Sequence, residues 1–289
     1  MFWQSPRTRA CCIRGDAMMR MLKTMPPTAI LGVLVILAYA VIALFAPLFA
    51  PYGEAQIVGA QFEPWSATYP FGTDTLGRDM LSRLIWGARN TVGVALVTTA
   101  LAFGIGAIAG LLAAALGGWV DLVLSRLVDV LMAVPALILT LLALSALGPG
   151  VMNLIAVVAV LDSTRVFRLA RATAMNVMVM DYVEAAHLRG EGIWWTITRE
   201  VLPNISAPLI AEFGLRFCFV FLTISALSFL GLGLPPPMAD WGAMVRDNAA
   251  LITFGDITPL LPAACIAVLT VSVNFVVDWM LHRASGLKD

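Results

Sequence analysis

The chain has 289 residues, of which 60% are hydrophobic and only 12% are charged. Soluble globular domains carry about 25% charged residues, so this composition excludes an ordinary soluble domain and indicates several membrane-spanning segments. The formal net charge is zero and the sequence contains no Gly-x-x-x-x-Gly-Lys loop, which argues against nucleic-acid binding and against ATP binding by this chain.

Six apolar segments are long enough to cross a bilayer, which takes about 20 residues of helix. In chain order they cover residues 28–50, 91–116, 122–147, 151–170, 207–230 and 258–281. They predict an all-α, polytopic membrane protein with six transmembrane helices. Pro135 lies inside the third segment and predicts a kink there. The spacing of Gly106 and Gly110 in the second segment predicts close packing against another helix.

Basic residues are distributed unevenly between the polar segments that flank these spans. Of the 18 arginines and lysines, thirteen lie in the N-terminal tail, the segments at 117–126 and 165–205, and the C-terminal tail. Because cationic loops stay on the cytoplasmic side of a membrane, we expect both termini and the 171–206 loop to be cytoplasmic. The loops at 51–90 and 231–257 would then face outward.

Three units follow from this topology. We expect a cytoplasmic tail with the start of the anchor (1–27), a transmembrane domain (28–281) and a cytoplasmic tail (282–289). The first apolar segment is too long for the core of a signal peptide and has no small-residue cleavage site. We therefore expect it to remain as an uncleaved anchor.

The 171–206 loop contains a distinctive pattern of helix formers and helix breakers. We predict a short helix from Asp181 that ends at Gly190 in a left-handed conformation, and a second helical segment that begins at Ile193 and is ended by Pro203. Two interpretations are open. The loop is either a compact knob that docks on a soluble partner, or an amphipathic surface segment held on the membrane by two tryptophans.

The two loops on the opposite side carry motifs of their own. The segment 71–79, Phe-Gly-Thr-Asp-Thr-Leu-Gly-Arg-Asp, offers turn residues and opposite charges at close spacing, enough to cap and pin a short helix at the membrane surface. The segment 228–237 ends in three prolines, which cannot donate backbone hydrogen bonds and so exclude a regular helix. Irregular backbone at the membrane edge is tolerated where protein or water covers it.

Together the three motifs resemble those of the dipeptide/oligopeptide/nickel ABC importer permease family. The Glu-Ala-Ala pattern at 184–186 is similar to the EAA loop by which such a permease grips its ATPase, and the resemblance runs from about residue 26 to the end. The chain departs from the family pattern at Glu200, where a basic residue is usual, at Ile224, where an acidic residue is common, and at 191–192, where Ala-Ser is usual.

The resemblance implies the fold of a type I ABC importer permease with a cytoplasmic helical coupling loop. The implied function is a permease subunit, not an enzyme, that moves peptides or a related small solute across the bacterial inner membrane by ATP-driven alternating access. No cofactor is implied on this chain, since ATP and Mg would bind to partner ATPases. The implied partners are a second homologous permease, two cytoplasmic ABC ATPase subunits or domains, and a periplasmic or lipid-anchored solute-binding protein.

The resemblance also assigns residues to roles. The residues implied in ATPase coupling are Tyr182, Glu184, Ala185, Ala186, Gly190, Leu202 and Pro203. The residues implied in the outer rim of the translocation path are Gly72, Thr73, Asp74, Gly77, Arg78, Asp79, Gly231, Gly233, Pro236, Trp241 and Gly242. The substrate stays open between dipeptides, longer peptides, glutathione-like compounds, metal chelates and opine-like solutes.

Charged residues inside the spans occur as pairs of opposite sign, three or four residues apart. These are Arg126 with Asp129, Asp162 with Arg165, and Glu212 with Arg216. A charge at the bilayer centre costs about 2.5–3.5 kcal/mol, so we expect each pair to form within its own helix, towards the cytoplasmic end of the span. The pairs are either satisfied charges near the membrane surface or parts of an inner gate.

Two other classes of protein serve as alternatives. An ion-coupled secondary transporter predicts acidic residues at mid-span and no docking loop. A membrane-embedded enzyme or metal site is not expected, because neither His187 nor His282 has a metal-ligand or triad neighbour at a useful spacing. The four cysteines (Cys11, Cys12, Cys218 and Cys265) show no metal or disulfide spacing, and we expect reduced thiols.

Overall fold

The computed structural model describes residues 25–284, and the outermost parts of both predicted tails lie outside that range. The described chain folds into α-helices that we number in order. These are α1 (Pro27–Leu44), α2 (Ala46–Phe49), α3 (Met80–Leu116), α4 (Gly118–Ala133), α5 (Ala136–Leu147), α6 (Val151–Met178), α7 (Asp181–Leu188), α8 (Ile193–Trp195), α9 (Leu202–Phe229), α10 (Trp241–Asn248) and α11 (Leu260–Ala284). A π-helical segment, Thr196–Val201, joins α8 to α9, and a 3₁₀ segment, Ala249–Phe254, follows α10.

Four helical stretches in the described residues are long and apolar enough to cross a membrane. They are Pro27–Leu44, Met80–Leu116, Ile193–Phe229 and Leu260–Arg283, and α4 with α5 would supply a fifth. The segment predicted at 151–170 forms the first part of α6, a helix of 28 residues that also carries several charged side chains. The all-α, multi-pass architecture is confirmed, and the count of six spans stays a prediction.

The predicted kink at Pro135 is a complete break. The axes of α4 and α5 meet at 90°. Val134, between the two helices, is extended, with φ −96° and ψ 138°. Proline disfavours helical geometry in the residue before it and has no N–H to donate, so the first helix ends there and a new one starts.

The packing of α3 against α6 is the most extensive helix contact in the fold. A Cβ atom added at Gly106 would overlap the carbonyl oxygen of Ser163, and one added at Gly110 would lie 2.7 Å from the carbonyl oxygen of Phe167. The two helix backbones therefore touch where the glycines lie. The close packing predicted from these glycines is confirmed, and the partner helix belongs to the same chain.

An apolar core surrounds α9. Phe221, Ile224 and Leu227 are fully buried on this helix and pack with Trp241 at the start of α10. The helix α1 lies against α11, where a Cβ at Gly32 would lie 2.5 Å from the carbonyl oxygen of Ser272. It also contacts α3 and, through Tyr39, Trp241, while its remaining side chains are largely exposed, as expected for a helix facing lipid.

The glycines of α3 provide a matched stability test. Gly106→Ala should lower the thermal stability of the purified protein, because the added methyl group meets backbone that cannot move without separating α3 from α6. Gly104→Ala adds the same methyl group two residues away, where no atom lies within 4 Å. It should leave stability unchanged or raise it by up to about 1 kcal/mol. Thermal unfolding in detergent measures both, and equal shifts would contradict the packing described.

Candidate functional site

The helix α7 and the turn that follows it form the first half of a compact knob, which we define as residues 181–203. Gly190 has φ +81°, as predicted. Its amide donates to the carbonyl of His187, and the next amide, of Glu191, donates to the carbonyl of Ala186. This pair of bonds is a Schellman motif, which ends a helix at a left-handed residue. The local sequence therefore determines where α7 stops.

The second half of the knob, residues 193–203, differs from the prediction that Pro203 ends a helix. Pro203 does not end a helix, because it lies in the first turn of α9, which continues to Phe229. The preceding segment, Thr196–Val201, widens into a π-helix. A proline ring inside a helix clashes with the carbonyl four residues earlier, and a wider turn relieves that clash. The knob is consequently continuous with a membrane-spanning helix.

One face of the knob is anchored in the bundle and the other is open. Ile197, Val201 and Ile205 pack against α3 and α6 in an apolar cluster. The Asn204 side chain donates to the Tyr182 hydroxyl, 3.2 Å away, and so links α9 to α7. The open face carries the predicted coupling residues Tyr182, Glu184, Ala185, Gly190, Leu202 and Pro203, whereas Ala186 is buried.

The loop before α3, residues 51–79, and the segment 231–242 lie together on one side of the bundle. We call them the first and second strips of the outer clasp. Asp74 accepts hydrogen bonds from the amides of Leu76 and Arg78, and from the Arg78 guanidinium at 2.7 Å. Arg83 reaches the same carboxylate, with its Nε 3.3 Å from Oδ2. Asp79 caps α3 by accepting from the amide of Ser82. All four side chains are buried, and Asp74 pairs with both arginines, whereas Asp79 acts as a helix cap.

The other predicted residues of this loop shape its turn. Thr73 donates to the carbonyl of Ala60 and accepts from the amide of Glu63. Gly72 and Gly77 both have positive φ, 71° and 74°, and lie against backbone of residues 59–63. The short interfacial helix predicted here forms the first turns of α3, which begins at Met80. The loop predicted at 51–90 therefore ends at residue 79. The aspartate cap explains the early start, since it satisfies the first amides of the helix.

The second strip of the clasp joins α9 to α10 without regular helix, as the three prolines predicted. Pro236 is exposed, whereas Trp241 and Gly242 are buried. A Cβ at Gly233 or at Gly242 would overlap atoms of α9. Gly231 has φ +90° and lies beside Arg246, whose guanidinium donates to the carbonyl of Ser228. The strip therefore folds back onto the end of α9.

Asp240 and Trp241 join the two strips of the clasp. The Thr91 hydroxyl donates to Asp240 and accepts from the Trp241 amide. The Trp241 indole donates to the carbonyl of Leu84 and lies against Gly87, where an added Cβ would be 2.6 Å from the ring. Burial raises the pKa of Asp240 above its ordinary value. This junction holds α10 on the first turns of α3.

The charged residues within the helices pair differently from the prediction. Only Glu212 and Arg216 pair as predicted, at 2.7 Å. Asp129 pairs with Arg168 of α6 rather than with Arg126, and Asp162 lies 3.6 Å from Arg216 of α9 rather than pairing with Arg165. Neighbouring helices bring arginines to these carboxylates, a tertiary effect that spacing within one helix does not reveal.

The position of these charges along their helices is now defined. Asp162 and Arg165 lie near the midpoint of α6, and Glu212 and Arg216 near the midpoint of α9, since both helices extend further towards the knob than the apolar segments indicated. Each helix has 28 residues, about 42 Å, and is longer than the hydrocarbon core of a bilayer is thick, so a position towards the cytoplasmic end of the span stays a prediction. Charge depth therefore does not separate a permease from an ion-coupled transporter.

Several residues of these surfaces were missed by the sequence analysis. Glu54 accepts from the Asn90 side chain at 2.5 Å and from the backbone amide of Ala239, so it joins both strips of the clasp. Asp121 pairs with Arg171, with Oδ2 2.6 Å from Nη2, and ties α4 to α6. No local pattern identifies either pair, because the partners lie far apart in the sequence.

The comparisons with known proteins identify the family. The model of the binding-protein-dependent transport system inner membrane component matches residues 102–285. The dipeptide transport system permease protein DppC of Alkalihalophilus pseudofirmus is 34% identical over 269 residues, which cover 90% of this chain and 84% of that protein. The chain belongs to this family of transport components. The peptide transport system permease protein SapC of Escherichia coli O6:H1 is 35% identical, over 87% of each chain.

Membership makes the chain a permease subunit of an ABC importer and a transport component rather than an enzyme. The crystal structure of an amino acid ABC transporter with histidines matches with a TM-score of 0.51, at 21% identity, over 70% of this chain and 94% of the other. This likeness confirms the predicted fold. Nothing in these comparisons favours the ion-coupled alternative, and within residues 25–284 no cluster of ligating side chains could hold a metal ion.

Substitution of Asp240 tests the junction of the clasp. Asp240→Ala should cost about 0.5–2 kcal/mol of stability, because it removes an N-cap and leaves the Thr91 hydroxyl without its acceptor. Asp240→Asn keeps a capping oxygen and should be tolerated.

The stability difference between the wild type and Asp240→Asn should depend on pH. A carboxyl whose pKa is raised by folding contributes its full stability below about pH 4, and that contribution is lost as pH rises through the folded-state value. Asp240→Asn should therefore gain stability relative to the wild type as pH rises from 4 to 8. Thermal unfolding across that range measures it, and a constant difference would contradict a buried carboxyl with a raised pKa.

Proposed function

We propose that the chain is the inner-membrane permease subunit of an importer for peptides or closely related small solutes. The single observation that carries this proposal is the knob at 181–203, which is open on one face and continuous with the long helix α9 on the other. The substrate class is supported by relatives that are named as dipeptide and peptide permeases and align over about 90% of the chain.

The knob is the contact for a cytoplasmic ATPase in this proposal. Its open face presents a carboxylate, Glu184, beside the small side chain of Ala185, so a partner surface can approach the helix closely. Leu188 and Trp194 are 83% and 65% exposed, and large apolar side chains of this kind are favourable when a partner covers them. ATP and Mg are bound by that partner, and this chain makes and breaks no covalent bond.

The outer clasp forms the rim of the path on the opposite side in this proposal. The 28 residues of α9 separate it from the knob by about 42 Å. Its buried ion pairs and tight turns give a rigid surface, and the exposed side chains around it, such as Trp65 and Phe254, suit contact with a solute-binding protein. Trp65 donates to Thr258 at 2.9 Å, which joins the two outer loops into one surface.

The proposed assembly contains a second homologous permease, two ATPase subunits or domains, and a periplasmic or lipid-anchored binding protein. The positive-inside distribution supports cytoplasmic positions for both termini and for the knob, in the bacterial inner membrane. The residue pairs near the centres of α6 and α9 lie between knob and clasp.

Transport follows by alternating access between two states. Closure of the ATPases shifts the knob, and α9 transmits the shift because it continues the knob without a flexible loop. Binding to the ATPase changes the equilibrium only if the knob contacts differ in free energy between the inward-facing and outward-facing states.

Co-purification with the products of neighbouring genes tests the coupling role of the knob. The double variant Glu184→Arg, Gly190→Trp should lose a P-loop ATPase that the wild type retains, while the second permease stays bound. The added arginine reverses the charge of the open face, and a tryptophan at φ +81° distorts the end of α7. The control is Gln61→Arg, which places an arginine at an exposed position of the outer loop and should keep the ATPase.

Uptake by the purified assembly in proteoliposomes tests the substrate class. The wild type with its binding protein should take up isotope-labelled di- and tripeptides in an ATP-dependent manner, and the double variant should not. If the double variant keeps its ATPase, or the wild type never binds one, the coupling role of the knob is wrong. Uptake of no peptide by a fully assembled wild type would overturn the substrate class alone.

A further inference from the structure

A cavity of about 350 Å³ opens at the break between α4 and α5. Pro135 at the break forms one wall, and Asp162, Arg165 and Phe219 line the remainder from the midpoints of α6 and α9. The volume falls within the range of about 300–1,000 Å³ that is typical of small-molecule sites. Apolar and charged groups therefore meet in a space that can hold a small solute.

Two carboxylates beside this cavity share one arginine. Arg216, which is buried, lies 2.7 Å from Glu212 and 3.6 Å from Asp162. One cation thus faces two carboxylates, and this cluster carries one excess negative charge when both are ionised. One oxygen of Asp162, Oδ2, is buried and accepts no hydrogen bond in the described part of the chain.

Arg165 supplies the opposite charge on the same cavity. No carboxylate of residues 25–284 lies within 4 Å of its guanidinium, which instead lies 5.9 Å from the ring centre of Phe219. The cavity is consequently lined by a cation that has no ion-pair partner within 4 Å and by a carboxylate, three residues apart on one helix. A ligand that carries both a carboxylate and an ammonium group complements the two.

The position of Arg165 gives a second reason to expect a ligand. It lies at the middle of α6, about 20 Å from either end of the helix and within the segment 151–170 that is predicted to span the membrane. Charged residues within membrane spans usually face a water-filled cavity and mark the path of a substrate. The break at Pro135 opens that cavity beside the charge.

We propose that this cavity is a membrane-embedded subsite that holds the solute in transit by its two charged ends. Arg165 binds the carboxylate, Asp162 binds the ammonium group, and Phe219 packs against the uncharged part. The ligand class is a zwitterion of the short-peptide type, which rests on the proposed function. The solute would therefore be selected a second time within the membrane, after its delivery to the permease.

Equilibrium binding to the complete transporter tests the subsite directly. The assembly, with hydrolysis-defective ATPases and ATP, is placed in lipid nanodiscs without the binding protein and exposed to an equimolar library of isotope-labelled di- and tripeptides. Retained peptides are measured by mass spectrometry. Competitors are the same library with its carboxyl ends amidated and the same library with its amino ends acetylated.

The wild type should retain labelled peptides, and both blocked libraries should compete at least tenfold more weakly than the unblocked library. Arg165→Gln should lose retention at least tenfold. Asp162→Asn should accept the acetylated library as well as the free one. The matched control is Arg168→Gln, an exposed arginine on the same helix that pairs with Asp129 outside this cavity, and it should retain peptides normally.

Retention by Arg165→Gln equal to that of the wild type would overturn the subsite, and so would equal competition by the amidated library or no retention by the wild type. None of these results affects the proposed function, because peptide uptake with the binding protein is measured separately. If uptake of peptides fails in the wild type, the substrate class falls and this subsite with it.

Discussion

The contact between α3 and α6 at Gly106 and Gly110 is the constraint on which the rest of the structure depends. It brings two long helices together backbone to backbone. At one end the pair forms the floor on which Ile197 and Val201 of the knob pack. At the other end α3 carries Thr91 and Gly87, which hold Trp241 in the outer clasp. One helix thus connects the two surfaces that the proposed mechanism couples.

The second connection between those surfaces is α9. It continues the π-helical segment of the knob without a break, and it ends at the irregular segment of the clasp. The fold therefore combines a tightly packed helix pair, α3 with α6, and a continuous helix that runs from the knob to the clasp, and the charged cavity lies between α6 and α9.

Sequence patterns predicted the features that depend on neighbouring residues. The helix of the knob, its left-handed end at Gly190, the capped turn before α3 and the Glu212–Arg216 pair are all set by residues within a few positions of one another. The family resemblance was also carried by local motifs. For the same reason the fold class was predictable from hydropathy alone.

Features that depend on helix packing were not predictable. The partner of Asp129 is an arginine 39 residues away, and Glu54 joins loops separated by 185 residues. The 90° break at Pro135 exceeds the expected kink because nothing in a single sequence specifies how far two helices diverge. Pro203 was misjudged because a π-helical segment, which hydropathy does not signal, lets the helix continue.

In the proposed assembly the open face of the knob contacts the ATPase. The most direct measurement places a photo-crosslinking amino acid at Glu184 in the assembled transporter, with the same residue at Leu76, which is 53% exposed on the outer clasp, as the control position. We expect a covalent product between the position-184 probe and a P-loop ATPase, and none from position 76. Crosslinks from position 184 to lipid alone, or to the binding protein, would contradict it.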